Sequence, residues 1–163
     1  MNMNVLWFKR DLRIEDNLAL WRCSQKGSFL AIYVYEPRVM QSPEYGSNQH
    51  EFINETLASL EEQIRSIDGW LLRLNSSIVD ALSLIHNRLH FTELHSNMET
   101  GNALTFARDK VVQIWCDRHK VIWQQAPTCD MFRPHPVRDG WSKRWHQRSM
   151  SKLVPTPTSV NMP

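Results

Sequence analysis

The chain has 163 residues, 42% of them hydrophobic and 22% charged, with a formal net charge of +2. That length suits one domain burying roughly 70% of the surface its unfolded chain exposes, and that balance excludes a low-complexity or disordered protein. No stretch reaches the ~18 apolar residues of a membrane span, and the apolar run at 5–8 is shorter than the ~7-residue core of a signal peptide. The three cysteines, Cys23, Cys116 and Cys129, form no C-x-x-C pair and no even framework, which fits free thiols in a reducing compartment. A soluble, cytoplasmic protein is expected.

Strand-like and helix-like segments alternate along the chain. VLWF at 5–8 is a short apolar strand, and DNLALWRCSQK at 16–26 reads as a helix capped by Asp16. FLAIYVY at 29–35 is aromatic and β-branched, and Pro37 stops it. The turn-rich EPRVMQSPEYGS follows. From Asn48 to Ile67, apolar residues at Ile53, Leu57, Leu60, Ile64 and Ile67 form one helical stripe, with Asn48 and Glu51 as its capping pair and Gly69 as its end.

WLLRLN at 70–75 is a third strand. Ser77 with Asp80 opens a helix whose stripe is Ile78, Leu82, Ile85 and Leu89. FTELHS at 91–96 is a fourth strand, and Thr100 or Asn102 opens a helix running to about His119. Leu104, Ala107, Val111, Ile114 and Trp115 are assigned to that helix's inner face. KVIWQ at 120–124 is a fifth strand.

Five strands alternating with four helices predict an α/β fold: a five-stranded parallel sheet, Rossmann-like, with helices on both faces. In the order 3-2-1-4-5 the crevice for a ligand opens beyond the carboxyl ends of strands one and four. Its walls are then KRDLRIEDN, 9–17, and HSNMETGN, 95–102. This accounts for the abrupt change from VLWF to six charged side chains, because the strand leaves the core there. Two roles stay open for those charges. Asp11 and an arginine can brace the loop, or Arg10 can present its planar fork to a polarised ring.

Other chemistry finds no motif. His86 and His90 are four apart, but a helix break is expected between them, and no H-E-x-x-H occurs, so no metal site is assigned. No G-x-S-x-G, G-x-x-x-x-G-K-[ST] or G-x-G-x-x-G occurs, and no catalytic residue is assigned.

WFKRDLRIEDNLAL resembles the amino-terminal signature of the DNA photolyase and cryptochrome family. YVYEP at the second strand's end, Arg108 and Asp109 in ETGNALTFARDKVVQIWC, and Gly140-Trp141 with Trp145 are similar to that family too. The resemblance covers nearly the whole chain. It implies an amino-terminal α/β domain that holds an antenna chromophore: a deazaflavin, a flavin or a folate. It also implies a larger helical domain, absent from this chain, that carries FAD and receives damaged DNA. The division implied is 1–126 for the α/β domain and 127–163 for an interdomain linker.

By motif position the resemblance assigns chromophore contacts to Arg10 and Tyr33, with Glu36 at the same strand end. Glu99 and Asn102 open a helix at the switch point, where plain capping is the alternative. Folate-binding members carry Asn-Glu shortly before the Arg-Asp pair; this chain has Leu104-Thr105 there.

The full-length relative implied is a deoxyribodipyrimidine photo-lyase or a blue-light receptor. The chain alone is expected neither to bind FAD nor to repair DNA. The alternative is a free-standing nucleotide-binding or regulatory α/β domain without photochemistry.

Charge is uneven along the chain. Residues 131–152 hold six Lys or Arg and one Asp, with Phe132, Trp141 and Trp145 among them, and LVPTPTSVNMP follows without charge. Contact with single-stranded nucleic acid and packing against the helical domain are the two readings of that basic, aromatic mixture. With the helical domain absent, self-association through 131–152 or disorder of the tail is expected.

Overall fold

A computed structural model of the chain describes residues 3–127, 139–150 and 152–159. Five strands, β1 (Asn4–Phe8), β2 (Phe29–Tyr35), β3 (Leu71–Asn75), β4 (Glu93–Asn97) and β5 (Ile122–Ala126), form one sheet in the order β3-β2-β1-β4-β5. Every neighbouring pair is parallel. Among the described residues six helices accompany them: α1 (Leu18–Ser24), α2 (Pro37–Met40), α3 (Ser47–Ser66), α4 (Ile78–Leu89), α5 (Ala103–His119) and α6 (Trp141–Ser149).

Strand alternation splits the core into two layers. Leu6 and Phe8 of β1 face Leu20 and Cys23 of α1 and Leu57, Leu60 and Ile64 of α3. Val5 and Trp7, on the opposite face, pack with Ile78, Leu82 and Ile85 of α4 and Val112, Trp115 and Cys116 of α5. The indole N–H of Trp115 donates to Ser83 Oγ at 2.8 Å and ties α5 to α4. Cys23 and Cys116 are buried free thiols, and Cys129 lies outside the described residues.

Several local expectations are corrected. Asn17, not Asp16, caps α1: its side chain accepts from Leu20 N, while Asp16 stands in the left-handed region at φ 46°. Gly46 occupies the cap position of α3 in place of Asn48. The end of α3 is a Schellman motif in which Asp68, at φ 61°, takes the left-handed position that Gly69 was expected to fill. Asp68 N reaches Arg65 O, and Gly69 N reaches Ile64 O. The turn-rich stretch holds the short helix α2, with Pro37 at its first turn, where no amide donor is lost.

The largest correction is to α5. Its buried residues are Thr105, Val112, Trp115 and Cys116, whereas Ala107, Val111 and Ile114 are exposed. The helix is rotated by about one residue, ~100°, from the expected face. Arg108 explains the rotation, because its ion pairs lie on the sheet side and an apolar stripe there would displace them.

β4 and β5 each start two residues later than expected, which moves Phe91 and Val121 into buried lead-in positions. Leu89 of the α4 stripe is exposed, since His90 ends that helix at φ 47°. α6 carries no sequence-based assignment. Beyond it, Val154 N donates to Asp16 Oδ1 at 3.0 Å, so that part of the expected linker is held against the β1–α1 loop.

Candidate functional site

The carboxyl ends of β1, β2 and β4 open into a cleft of about 780 Å³. Three walls define it. The β1–α1 loop supplies Lys9 to Arg13, the start of α5 supplies Glu99 to Asn102 with Thr105, and the segment after β2 supplies Glu36 to Tyr45 with the first turns of α3. Arg10, Tyr33, Glu36, Glu99 and Asn102 all line it.

The floor is a buried ionic cluster. Arg108 Nη1 meets Glu36 Oε1 at 3.0 Å, and its Nη2 meets Glu99 Oε2 at 2.5 Å and Asp109 Oδ1 at 2.8 Å. Lys9 Nζ, almost wholly buried, meets Asp109 Oδ2 at 3.0 Å. Both cations lie over the Trp7 ring, Lys9 Nζ at 4.4 Å and Arg108 Cζ at 4.8 Å from its centroid. Such cation–ring contacts gain strength where water is excluded.

Burial pushes the Glu36 carboxyl above the ordinary range, and Arg108 offsets part of that. Burial likewise lowers Lys9, against the pull of Asp109. Two cations against three carboxylates give the cluster a net charge of −1.

The β1–α1 loop divides its charges between two tasks. Arg13, not Arg10, pairs with Asp11, at 3.9 Å. Arg13 also donates to the carbonyls of Glu15 and Asp16 and so braces the turn. Arg10 stays exposed on the cleft. Asn102 caps α5 by accepting from Thr105 N at 3.1 Å, so its amide group has a structural task as well as a place in the wall. Gly101 is required beside it: a Cβ there would meet Thr105 Oγ1 at 2.1 Å and Glu99 Oε1 at 2.9 Å.

An aromatic wall faces the charged one. Tyr33 and Tyr35 meet edge to face at 5.0 Å, and Tyr35 Oη donates to Asn54 Oδ1 at 2.7 Å. Burial holds the Tyr33 phenol well above its usual range, so it stays a proton donor at neutral pH. Tyr45 and Phe52 complete the wall. Sequence reading missed both residues, as it missed Lys9 and Arg108 as a floor. Phe52 carried a signal, because it is an aromatic residue off the Ile53–Leu57–Leu60–Ile64 stripe of its own helix. It is 67% exposed.

Among the described residues no group of three or more His, Cys, Asp or Glu is arranged to hold a metal ion. His86 and His90 pack edge to face at 5.9 Å. None of the described helices is long and apolar enough to cross a membrane.

The model of the family described as DNA photolyase matches residues 4–156. The chain belongs to the DNA photolyase family. It is 26% identical over 120 residues to cryptochrome-1 of Aedes aegypti, covering 69% of this chain and 22% of that protein. Its fold is similar to that of a class III photolyase from Agrobacterium tumefaciens, with a TM-score of 0.81 at 17% identity, covering 100% of this chain and 36% of the photolyase. An archaeal photolyase from Sulfolobus tokodaii, solved with two FAD molecules, gives 0.76 at 16% identity, with 98% and 37% covered. The chain therefore spans 22% of the cryptochrome and 36–37% of the two photolyases, and its α/β sheet is the amino-terminal, Rossmann-like part of that architecture.

Proposed function

We propose that this α/β unit is the antenna domain of a photolyase or cryptochrome-like flavoprotein, and that its cleft holds a planar light-harvesting chromophore. The observation that carries this is the convergence of Arg10, Tyr33, Glu36, Glu99 and Asn102 on one cleft of about 780 Å³. That volume lies within the ~300–1,000 Å³ of ordinary small-molecule sites. The donor set suits a conjugated heterocycle such as a deazaflavin or a flavin. Tyr45 and Phe52 offer ring faces, Tyr33 offers a hydroxyl donor, and Arg10 offers a fork for ring carbonyls or for stacking.

When bound, such a chromophore absorbs light and passes the excitation to a flavin elsewhere in the protein. The chain's own residues bind and shield it. Arg108 holds Glu36 and Glu99 in place through its ion pairs. Trp7 closes the floor, and Phe52 limits water at the mouth.

The same reading assigns residues 1–126 to the antenna unit and 127–163 to an interdomain segment. It assigns FAD and damaged DNA to a helical domain of the longer protein, which would act in light-dependent repair or photoreception in the cytoplasm. The tie between Val154 and Asp16 supports a connecting segment that lies along the α/β unit.

Titration of the purified chain with deazaflavin, FMN and a methenyl folate, read by chromophore fluorescence, tests this. Binding at one site is expected, and Arg10→Ala weakens it by about 1–3 kcal/mol, the range for a charge-assisted contact. Affinities unchanged in both Arg10→Ala and Phe52→Ala would remove the ligand from this cleft. Stoichiometric FAD binding, or repair of a dimer-containing oligonucleotide by the illuminated chain, would overturn the assignment of FAD and chemistry to the helical domain.

A further inference from the structure

The two edges of the sheet are built differently. At one, β5 is flanked by α1 and α5 and carries Gln124 and Gln125. At the other, β3 reads LLRLN, with no proline and no lysine, and its register with β2 runs from Leu71 to Asn75 without a bulge. Sheet edges are ordinarily blunted by such features, because a bare edge pairs with further strands. Arg73 does not blunt this one. Its guanidinium turns to α3, where it pairs with Glu61 and donates to Leu57 O at 2.9 Å. The opposite face of β3 is apolar and open. Leu72 and Leu74 stand beside Ile32 and Val34 on the α4 side of the sheet, and Leu72 is 38% exposed. Trp70, immediately before the strand and in the same phase, is 64% exposed.

The direction of the backbone groups follows from one hydrogen bond. Ser76 N donates to Tyr35 O. Amide groups alternate in direction along a strand, so Leu74 and Leu72 also turn theirs to β2. Leu71, Arg73 and Asn75 turn theirs outward, and no strand meets them among the described residues.

We propose that β3 is a self-association edge: a second copy of this chain pairs antiparallel with it about a two-fold axis at Leu72, joining the two sheets. A two-fold contact must be self-complementary, and this decides the register. Centred on Arg73, the pairing sets two arginines opposite each other, and like charges there are destabilising. Centred on Leu71, it sets Arg73 opposite Gly69, whose amide is already given to Ile64 O. Centred on Leu72, it sets Leu71 opposite Arg73 and aligns their outward amide groups. Leu72 then meets Leu72, and Trp70 meets Leu74, on the open apolar face. The chain leaves the sheet from β5, at the far edge, so the segment after Ala126 and the helical domain assigned beyond it start away from β3. This edge is also separate from the cleft and does not depend on a chromophore.

Sedimentation equilibrium of this chain over a wide range of concentration tests the edge. A monomer–dimer equilibrium is expected, with no larger species, because a two-fold contact closes. Leu72→Lys and Leu72→Glu each weaken the dimer roughly tenfold or more, since each replaces a leucine pair by two like charges. An equimolar mixture of the two variants regains a dimer, because opposite charges then meet. Trp141→Ala combined with Trp145→Ala leaves the dimer unchanged. Hydrogen exchange at the outward amides of Leu71 and Arg73 slows as concentration rises, and exchange at Leu72 does not. Far-UV circular dichroism of each variant checks that the sheet is intact. A chain that stays monomeric throughout, a dimer that survives Leu72→Lys, or one lost with the α6 tryptophans would overturn the proposal. So would a mixture of the two Leu72 variants that fails to dimerise.

Discussion

Replacing Arg108 with Met removes the cation that joins Glu36, Glu99 and Asp109. Its side chain and those of the three carboxylates are between 6% and 16% exposed, so water cannot take over its role. The methionine keeps much of the apolar stem over Trp7, which isolates the charge from the packing. The cluster's net charge goes from −1 to −2, with Lys9 as the remaining cation in it. Removing one partner of a buried ion pair costs about 3–5 kcal/mol. Against a total of ~5–15 kcal/mol, that leaves a folded but marginal protein.

The loss should depend on pH. The Glu36 carboxyl is already raised by burial, with Arg108 as the main opposing influence, and removing Arg108 raises it further. A carboxyl with a raised folded pKa binds protons more readily in the folded state than in the unfolded one. It therefore costs stability as pH rises from the unfolded value through the folded one. The penalty in Arg108→Met is thus larger at pH 8 than at pH 5. Urea unfolding followed by tryptophan fluorescence at both pH values measures it. A loss under about 1 kcal/mol, or one equal at the two pH values, would show that the cluster does not hold the floor as described.

Gly101→Ala should lower stability by about 1–3 kcal/mol, because its Cβ would overlap Thr105 Oγ1, and thermal unfolding with and without a second change, Thr105→Ala, which removes that oxygen, checks the steric cause. His95 is buried on β4 with Nε2 3.0 Å from Glu93 Oε2 and with no partner for Nδ1 among the described residues. Burial lowers its pKa, against the pull of Glu93 and with Lys26 and Arg22 nearby, so the unfolded chain protonates first as pH falls. Its stabilising contribution is present above the unfolded value near 6.5 and is lost below it, by at most about 1.4 kcal/mol per pH unit, and His95→Gln should flatten urea midpoints measured between pH 7.5 and 5.5.

The sequence by itself determined the sheet. Apolar strands of four to seven residues, alternating with helices whose stripes repeat every three or four, admit few arrangements. The order β3-β2-β1-β4-β5 is among those that right-handed crossovers allow, and it is the one expected and observed. The ligand cleft was legible for the same reason, since the strand ends at Phe8 and Tyr35 and the start of α5 are marked by local composition. Arg10, Tyr33, Glu36, Glu99 and Asn102 all line that cleft; Arg10 and Tyr33 are assigned by the family resemblance, and Glu36, Glu99 and Asn102 by their places at a strand end and a helix start.

Tertiary structure alone decided what those residues do with one another. Hydrophobic periodicity turned Val111 and Ile114 inward on α5, but Arg108 must reach Glu36, 72 positions away, and Glu99, and this set the rotation of the helix. Lys9 looked like part of an exposed charged loop and is instead buried against Asp109, 100 positions away. Asp16 was taken for a cap and holds Val154, 138 positions away. Local pattern reports whether a side chain prefers water. It does not report a distant partner that lets a charge be buried, and in this chain Lys9 finds Asp109, and Arg108 finds Glu36, in distant segments.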